Sequence, residues 1–140
     1  MPHASTRNLK IVIQRAYEVP DPSDGYRVLV DRVWPRGRSK ETLKLNQWAR
    51  ELAPSSALRE WFAHDPKRWS VFQQRYRDEL GSDEMCARMR QLLSDAAGQP
   101  ITLVYGAKDE EHNQAIVLRD VLLHLHDKTV RPFSGERRRK

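Results

Sequence analysis

Residues 101–127 read ITLVYGAKDEEHNQAIVLRDVLLHLHD, and this stretch decides the fold. Its first five residues are rich in β-branched and aromatic side chains, which predicts a short strand buried on both faces. Residues 106–111, GAKDEE, are one glycine, one alanine and four charged residues, a composition typical of a turn. The apolar residues after the turn recur at helical spacing on one face, namely Ala115, Leu118, Leu122 and Leu125. A buried strand followed by a turn and a helix predicts an α/β domain.

Earlier segments extend this pattern. Residues 9–17 and 26–33 contain the apolar triplets IVI and VLV, which predict two more strands buried on both faces. Asp65 and Pro66 are suited to begin a helix whose apolar stripe is Trp69, Phe72, Tyr76 and Leu80. Asp83 is predicted to cap the next helix, whereas residues 39–63 give mixed signals. The expected architecture is a single small α/β domain over residues 1–130, with a mainly parallel sheet of few strands covered by helices.

The composition excludes several classes of protein. A chain of 140 residues with 31% charged residues and no long apolar run predicts a cytoplasmic protein without a membrane segment. The single cysteine, Cys86, excludes an internal disulfide and a cysteine-based zinc site. No two glycines are separated by one residue, so the common glycine-rich phosphate loops are absent. We therefore predict no cofactor.

The net charge of +6 is concentrated in two places. Residues 131–140 carry five cations against one acid, and they are predicted to form a basic, disordered tail outside the domain. Residues 27–40 also carry five cations against one acid, but they lie in a segment predicted to be structured. These two clusters favour, as an alternative function, a non-catalytic nucleic-acid-binding module that uses residues 27–40 and the tail.

Several motifs occur in a fixed order along the chain. They are VLVDRVWPRG at 28–37, ELAPS at 51–55, LREWFAHDPKRW at 58–69 and YGAKDEEHNQAIVLRDVL at 105–122. Over about residues 9–126 the chain resembles the YeaO-like branch of the domain-of-unknown-function 488 (DUF488) family. The resemblance implies a small bacterial α/β domain and no established activity. It also implies that the first two strands run parallel, whereas the short PDPSDG loop between them favours an antiparallel pair.

The chain departs from the wider family at the last strand and the helix that follows it. Many members of that family carry a cysteine at the end of this strand and a Cys-His-Arg run at the helix start. This sequence has Tyr105 at the first position and Asn113, Gln114 and Ala115 at the others. Chemistry that depends on those thiols or on that arginine is therefore not expected here.

Two segments leave the second and third predicted strands at the edge where α/β domains collect ligands. Arg32 and Arg36 lie beside Trp34 in the first segment, where guanidinium groups suit phosphate or carboxylate and the indole suits a nucleobase. Tyr105 and Lys108 are the ligand-binding candidates of the second segment. Alternatively, the arginines pair with an acid such as Asp31, or Trp34 only covers the end of the strand.

His112 and Asp109 are the candidate catalytic residues, as an acid/base group and its partner near a helix N-terminus. The alternative is that Asp109 only caps the helix. No metal site is predicted, because Asp65 beside His64 is suited to helix capping and His124 and His126 point apart on a helix.

The function predicted from these patterns is binding of a small anionic ligand, phosphorylated or nucleotide-like, at the carboxyl ends of the strands. The prediction covers binding and leaves turnover open. It requires Arg32, Arg36, Lys108 and His112 to converge on one concavity, with Asp31 or Asp109 pairing an arginine when no ligand is bound. The alternatives are the nucleic-acid-binding module and a protein-interaction or structural domain. The sequence makes no prediction of the oligomeric state.

Overall fold

The computed structural model describes residues 9–130, and side chains through residue 128. Its strands are β1 (Ile11–Arg15), β2 (Tyr26–Leu29), β3 (Gln47–Trp48) and β4 (Ile101–Tyr105). Its helices are α1 (Lys40–Leu43), α2 (Ser56–Phe62), α3 (Trp69–Leu80), α4 (Asp83–Ala96) and α5 (Gln114–Val130). One-turn 3-10 helices occupy Pro22–Asp24, Arg50–Leu52 and Pro66–Arg68. The predicted basic tail, residues 131–140, lies outside the described residues.

The sheet has the strand order β1-β4-β2-β3, and every pairing is parallel. The predicted α/β class with a parallel sheet is confirmed. The central strand β4 pairs with β1 along Ile11–Arg15 and with β2 along Tyr26–Leu29. The carboxyl ends of β2 and β4 therefore open at the same edge of the sheet, where the predicted ligand-binding segments begin.

The antiparallel arrangement favoured by the short loop between β1 and β2 is wrong. These strands are not neighbours, because β4 lies between them. The connection, residues 16–25, must return along β1 and cross two strand spacings, which requires about 17 Å and about 10 Å. Ten residues span up to about 33 Å when extended. The connection is therefore long enough for a parallel crossover without an α-helix, and it contains only the turn Pro22–Asp24.

Burial follows each strand's place in the sheet. In β4 all five residues are buried, and Val28, Leu29 and Val30 at the end of β2 are completely buried. The prediction that the first strand is buried on both faces is wrong, because β1 is an edge strand. Val12 is 37% exposed, and among the residues of β1 only Ile11 is buried.

An aromatic cluster joins α2 and α3 beneath the strand ends. The predicted stripe of α3 is confirmed, with Phe72, Tyr76 and Leu80 buried and Trp69 partly buried. The ring of Phe72 stacks on that of Phe62 with centroids 4.3 Å apart. The Tyr76 hydroxyl donates a hydrogen bond to the Leu52 carbonyl at 2.5 Å. These contacts pack α2 against α3, and α3 in turn packs against α5, the helix that covers β1 and β4.

Helix starts differ from the predictions by a few residues. Asp65 accepts a hydrogen bond from the Lys67 amide at 3.0 Å, so it caps the turn Pro66–Arg68 that leads into α3. The cap of α4 is Ser82 rather than Asp83, since the Ser82 hydroxyl accepts from the Met85 amide. Within residues 9–130, no helix has the length and apolar character needed to cross a membrane.

Candidate ligand-binding site

A cavity of about 270 Å³ lies at the carboxyl ends of β2 and β4. One wall is the segment that follows β2, contributing Asp31, Arg32, Val33, Trp34, Pro35 and Arg36. The opposite wall is the segment from the end of β4 to the start of α5, contributing Gly106, Ala107, His112, Asn113 and Gln114. The rest of the lining comes from the neighbouring loops, α2 and α3, with Tyr17, Pro54, Arg59, Phe62, His64 and Phe72.

The structure brings four of the seven sequence-predicted site residues together. Arg32, Trp34, Arg36 and His112 all line the cavity. The other three residues are Tyr105, which is buried at 2% exposure, Lys108, which is exposed, and Asp109. They lie outside its lining. Of the four groups expected to converge, Arg32, Arg36 and His112 line the cavity. Lys108 does not, because the turn after β4 presents only Gly106 and Ala107 to it.

Two of the guanidinium nitrogens of Arg32 already donate hydrogen bonds within the protein. Its Nε donates to the Pro54 carbonyl at 3.0 Å and its Nη2 to the Ala53 carbonyl at 3.2 Å. The expected pairing of an arginine with Asp31 or Asp109 is wrong for Arg32, whose partners are backbone carbonyls. This guanidinium positions the segment that leads into α2.

Asp31 ties the two walls together. Its Oδ2 accepts from the Gly106 amide at 2.9 Å, and its Oδ1 accepts from Nε2 of Gln114 at 2.5 Å. A Cβ at residue 106 would lie 2.8 Å from Asp31 Oδ2, so a larger residue there would displace this carboxylate. Burial raises the pKa of Asp31 to about 6, although these two hydrogen bonds and the charge of Arg59 favour its ionised form.

Arg36 and Arg59 supply the free positive charge of the cavity. The backbone carbonyl of Arg36 accepts from the Tyr17 hydroxyl at 2.9 Å, which anchors the loop and leaves the side chain unconstrained. Within residues 9–130, neither guanidinium has a hydrogen-bond or ion-pair partner. Two unpaired guanidiniums in one concavity are suited to bind an anion.

Asp109 orients the ring of His112, which lies in the wall between β4 and α5. The Asp109 Oδ2 lies 2.9 Å from His112 Nδ1, and its Oδ1 accepts from the amides of Glu111 and His112. The Glu111 amide and the His112 ring lower the pKa of Asp109, so the carboxylate stays charged. A proton on Nδ1 shared with this carboxylate leaves Nε2 as the free ring nitrogen. The ring of His112 also packs edge-on against Trp69, with centroids 5.4 Å apart.

The alternative that Asp109 caps the last helix is wrong, because α5 begins at Gln114. The capping residue is Asn113, whose side-chain oxygen accepts from the Ala115 amide at 3.0 Å and whose amide group donates to the Asp109 carbonyl. The positive end of the 17-residue helix α5 lies at the cavity wall and adds to its attraction for anions.

Trp34 is held in place by two contacts. Its Nε1 donates to the Arg38 carbonyl at 2.6 Å, and its ring packs edge-on against Trp48 with centroids 5.3 Å apart. The indole therefore covers the end of the sheet and also supplies an apolar part of the cavity wall.

Sequence reasoning missed Arg59 and His64 as residues of the cavity. Both stand in the motif LREWFAHDPKRW, but α2 is short and nothing in its pattern indicates which surface it faces. Its position depends on the aromatic cluster and on the carbonyl contacts of Arg32, which only the tertiary structure shows. Within the described chain, no three His, Cys, Asp or Glu residues come close enough to hold a metal ion.

The basic cluster of residues 27–40 is mostly engaged within the fold. Arg27 is 4% exposed, pairs with Asp24 at 2.7 Å and donates to the Leu43 carbonyl. Arg38 donates to the Ala16 carbonyl at 3.1 Å. Together with Arg32, three of the five cations of this cluster are therefore bound to the protein itself.

These features define a small parallel α/β domain with a cationic, partly aromatic cavity at its strand ends. The chain belongs to the family DUF488-N3i, described as the inactive DUF488-N3 subclade, whose model matches residues 10–136. The resemblance to the YeaO-like branch of DUF488 is thereby confirmed.

Two relatives illustrate this similarity. The chain is 40% identical over 117 residues to the uncharacterized protein YeaO of Escherichia coli (strain K12), covering 84% of this chain and 100% of YeaO. It is 41% identical over 96 residues to the uncharacterized protein Rv3073c of Mycobacterium tuberculosis (strain ATCC 25618 / H37Rv), covering 69% of this chain and 81% of that protein. No solved structure matches the chain.

Proposed function

We propose that this protein binds a small anionic ligand, phosphorylated or nucleotide-like, in the cavity at the strand ends. The observation that carries the proposal is the pair of guanidiniums, Arg36 and Arg59, that line one cavity and have no hydrogen-bond or ion-pair partner among the described residues. Among the described residues, Asp31 is the only carboxylate of that lining, and it already accepts hydrogen bonds from Gly106 and Gln114. Three guanidiniums in the described lining outnumber this one carboxylate, so the cavity keeps an excess of positive charge to offer an anion.

The aromatic residues of the cavity lining support a ligand with an apolar or planar part. Trp34, Phe62 and Phe72 contribute aromatic surface next to the arginines. A volume of about 270 Å³ lies just below the range of roughly 300–1,000 Å³ that is usual for drug-sized ligands. This combination fits a small metabolite that joins an anionic group to a compact body.

In this proposal His112 contacts the ligand, while Asp109, outside the cavity lining, orients the His112 ring. A histidine oriented by a carboxylate is also the arrangement of a general base and its partner, so the geometry alone is compatible with turnover. The description of the family as inactive supports binding without turnover. A cytoplasmic location accords with the single cysteine, which leaves no internal disulfide to require an oxidising compartment.

We predict that the purified protein retains a phosphorus-containing small anion that mass spectrometry identifies after denaturation. The matched sample is a double variant, Arg36→Gln with Arg59→Gln, which keeps the fold because both side chains are exposed and unpaired. The wild-type chain is expected to yield the anion in clear excess over the variant. Identical small-molecule profiles for the two proteins would contradict the proposal.

Salt dependence separates this proposal from the nucleic-acid alternative. A protein that binds a nucleic-acid backbone through six or more phosphates loses roughly a thousandfold in affinity between 50 and 200 mM salt. A ligand held by two guanidiniums in a cavity is expected to lose far less. If neither a small anion nor an oligonucleotide binds, the domain is better described as a protein-interaction or structural module.

A further inference from the structure

We infer that the ligand presents a terminal phosphomonoester dianion, clamped between Arg36 of the segment after β2 and Arg59 of α2, with His64 as a third contact. This inference rests on the proposed function and names the chemical class of its ligand. Three independent features carry it. They are the charge balance of the cavity, the anchoring of the two arginines and the backbone conformation at His64.

The charge balance indicates two negative charges on the ligand. The cavity lining contains three guanidiniums, those of Arg32, Arg36 and Arg59, and one carboxylate, that of Asp31. With Asp31 ionised, the excess is two positive charges, before either histidine is counted. A carboxylate or a phosphodiester brings one negative charge and leaves one arginine uncompensated, whereas a phosphomonoester brings close to two at neutral pH.

The backbone that carries Arg59 is anchored from two sides. Ser55 caps α2 through its hydroxyl, and both its hydroxyl and its amide contact the Glu79 carboxylate, at 2.6 and 2.9 Å. Arg32 holds the two preceding carbonyls, those of Ala53 and Pro54. Arg32 is thus a positioning residue, and it sets where α2 presents Arg59 to the cavity.

The two arginines come from different elements and are both left without a partner. The Arg36 loop is anchored by the Tyr17 hydroxyl and by the buried Pro35, while its guanidinium is exposed. Arg59 is exposed on α2 and likewise has no partner in the described chain. Guanidinium groups from two different elements suit a tetrahedral group, because its several oxygens can accept hydrogen bonds from both of them.

The backbone at the end of α2 is unusual and places His64 on the cavity. Ala63 and His64 have φ of 45° and 56°, so two consecutive residues without glycine adopt the left-handed conformation. The Ala63 backbone N–H donates a hydrogen bond to the Arg59 carbonyl and ends the helix, which accounts for the left-handed conformation of Ala63. The left-handed conformation of His64 places its ring in the cavity lining, with its centroid 6.4 Å from that of the Phe62 ring. Such strain is concentrated at functional sites.

The test compares two probes that share a ring and a tetrahedral anion but differ in charge. Phenyl phosphate is mostly dianionic at pH 7.5, and benzenesulfonate is a monoanion of similar shape. Each is titrated into the ¹⁵N-labelled full chain while amide and arginine Nε–Hε signals are followed by NMR. We expect phenyl phosphate to shift the Arg36 and Arg59 signals and to bind at least about tenfold more tightly than benzenesulfonate, as two charge-assisted contacts require.

Single variants identify the clamp. Arg59→Gln and Arg36→Gln are each expected to weaken the binding of phenyl phosphate roughly ten- to hundredfold. Arg59→Lys should weaken it less, because the ammonium keeps the charge but loses the paired donors of the guanidinium. His64→Asn is expected to weaken it by a smaller factor. The matched control is Arg90→Gln, which removes an exposed, unpaired arginine of α4 that lies outside the cavity lining. Its affinity should equal that of the wild-type chain.

The outcomes separate the two levels of the proposal. Equal affinity for the two probes at the same cavity signals would overturn the dianion clamp and leave the anion site standing. The clamp is also wrong if Arg59→Gln binds like Arg90→Gln while its amide spectrum stays native. If neither probe moves any cavity signal, the proposed anion site itself fails.

Discussion

Replacing Phe72 by alanine is expected to lower the free energy of unfolding by roughly 3–5 kcal/mol, the range for removing a buried aromatic side chain. Phe72 is 2% exposed and stands at the centre of the aromatic cluster. Its ring centroid lies 4.3 Å from that of Phe62, 5.7 Å from that of Trp69 and 5.8 Å from that of Tyr76. The substitution would leave a void between α2 and α3 within the hydrophobic core.

Urea denaturation measures this effect, and a neighbouring residue supplies the control. Val71 precedes Phe72 on α3 but is 47% exposed, so Val71→Ala should change the unfolding free energy by less than about 0.5 kcal/mol. A loss below about 1.5 kcal/mol for Phe72→Ala would show that the aromatic layer beneath the cavity is not a packed core.

Asp31 is expected to make stability depend on pH below neutrality. Its pKa is about 6 in the folded chain, against 3.8 for an unperturbed carboxyl, because burial disfavours the charge. Between these values the folded state holds a proton that the unfolded state has released, so stability falls as pH rises from about 4 to about 6. A shift of about two pKa units corresponds to about 3 kcal/mol.

The measurement compares wild-type and Asp31→Asn unfolding free energies at several pH values from 4 to 7. As pH rises across that interval, the unfolding free energy of the variant should increase relative to that of wild type by up to about 3 kcal/mol, because the variant has no proton to release. Glu60→Gln, at an exposed and unpaired residue of α2, is the control and should show no such trend. Parallel pH curves for wild type and Asp31→Asn would contradict the raised pKa that burial gives Asp31.

The elements with strong local patterns were predictable. The strand Ile101–Tyr105, the stripe of α3 and the apolar face of α5 are repetitive signals that survive in any packing arrangement. The strand order was not predictable, because the insertion of β4 between β1 and β2 is a long-range choice. The same choice makes β1 an edge strand, and its IVI triplet resembles that of a buried strand.

The site was predictable where it follows strand ends and not where it depends on packing. Arg36 and His112 were identified because parallel strands bring their carboxyl ends together. The contacts of Arg32 were not predictable, since nothing local reveals that the carbonyls of Ala53 and Pro54 come within reach of its guanidinium. Lys108 was assigned to the cavity by proximity in sequence, but a turn directs neighbouring side chains to different sides.

The central claim is that the strand-end cavity binds an anion, and a crystal structure grown with tungstate tests it most directly. Tungstate is a tetrahedral dianion, and its anomalous scattering locates it without reference to the protein. The account predicts the strongest anomalous peak inside the cavity, within hydrogen-bonding distance of Arg36 and Arg59, and its loss in the Arg59→Gln variant. An empty cavity with the anion bound only elsewhere on the surface would contradict the account.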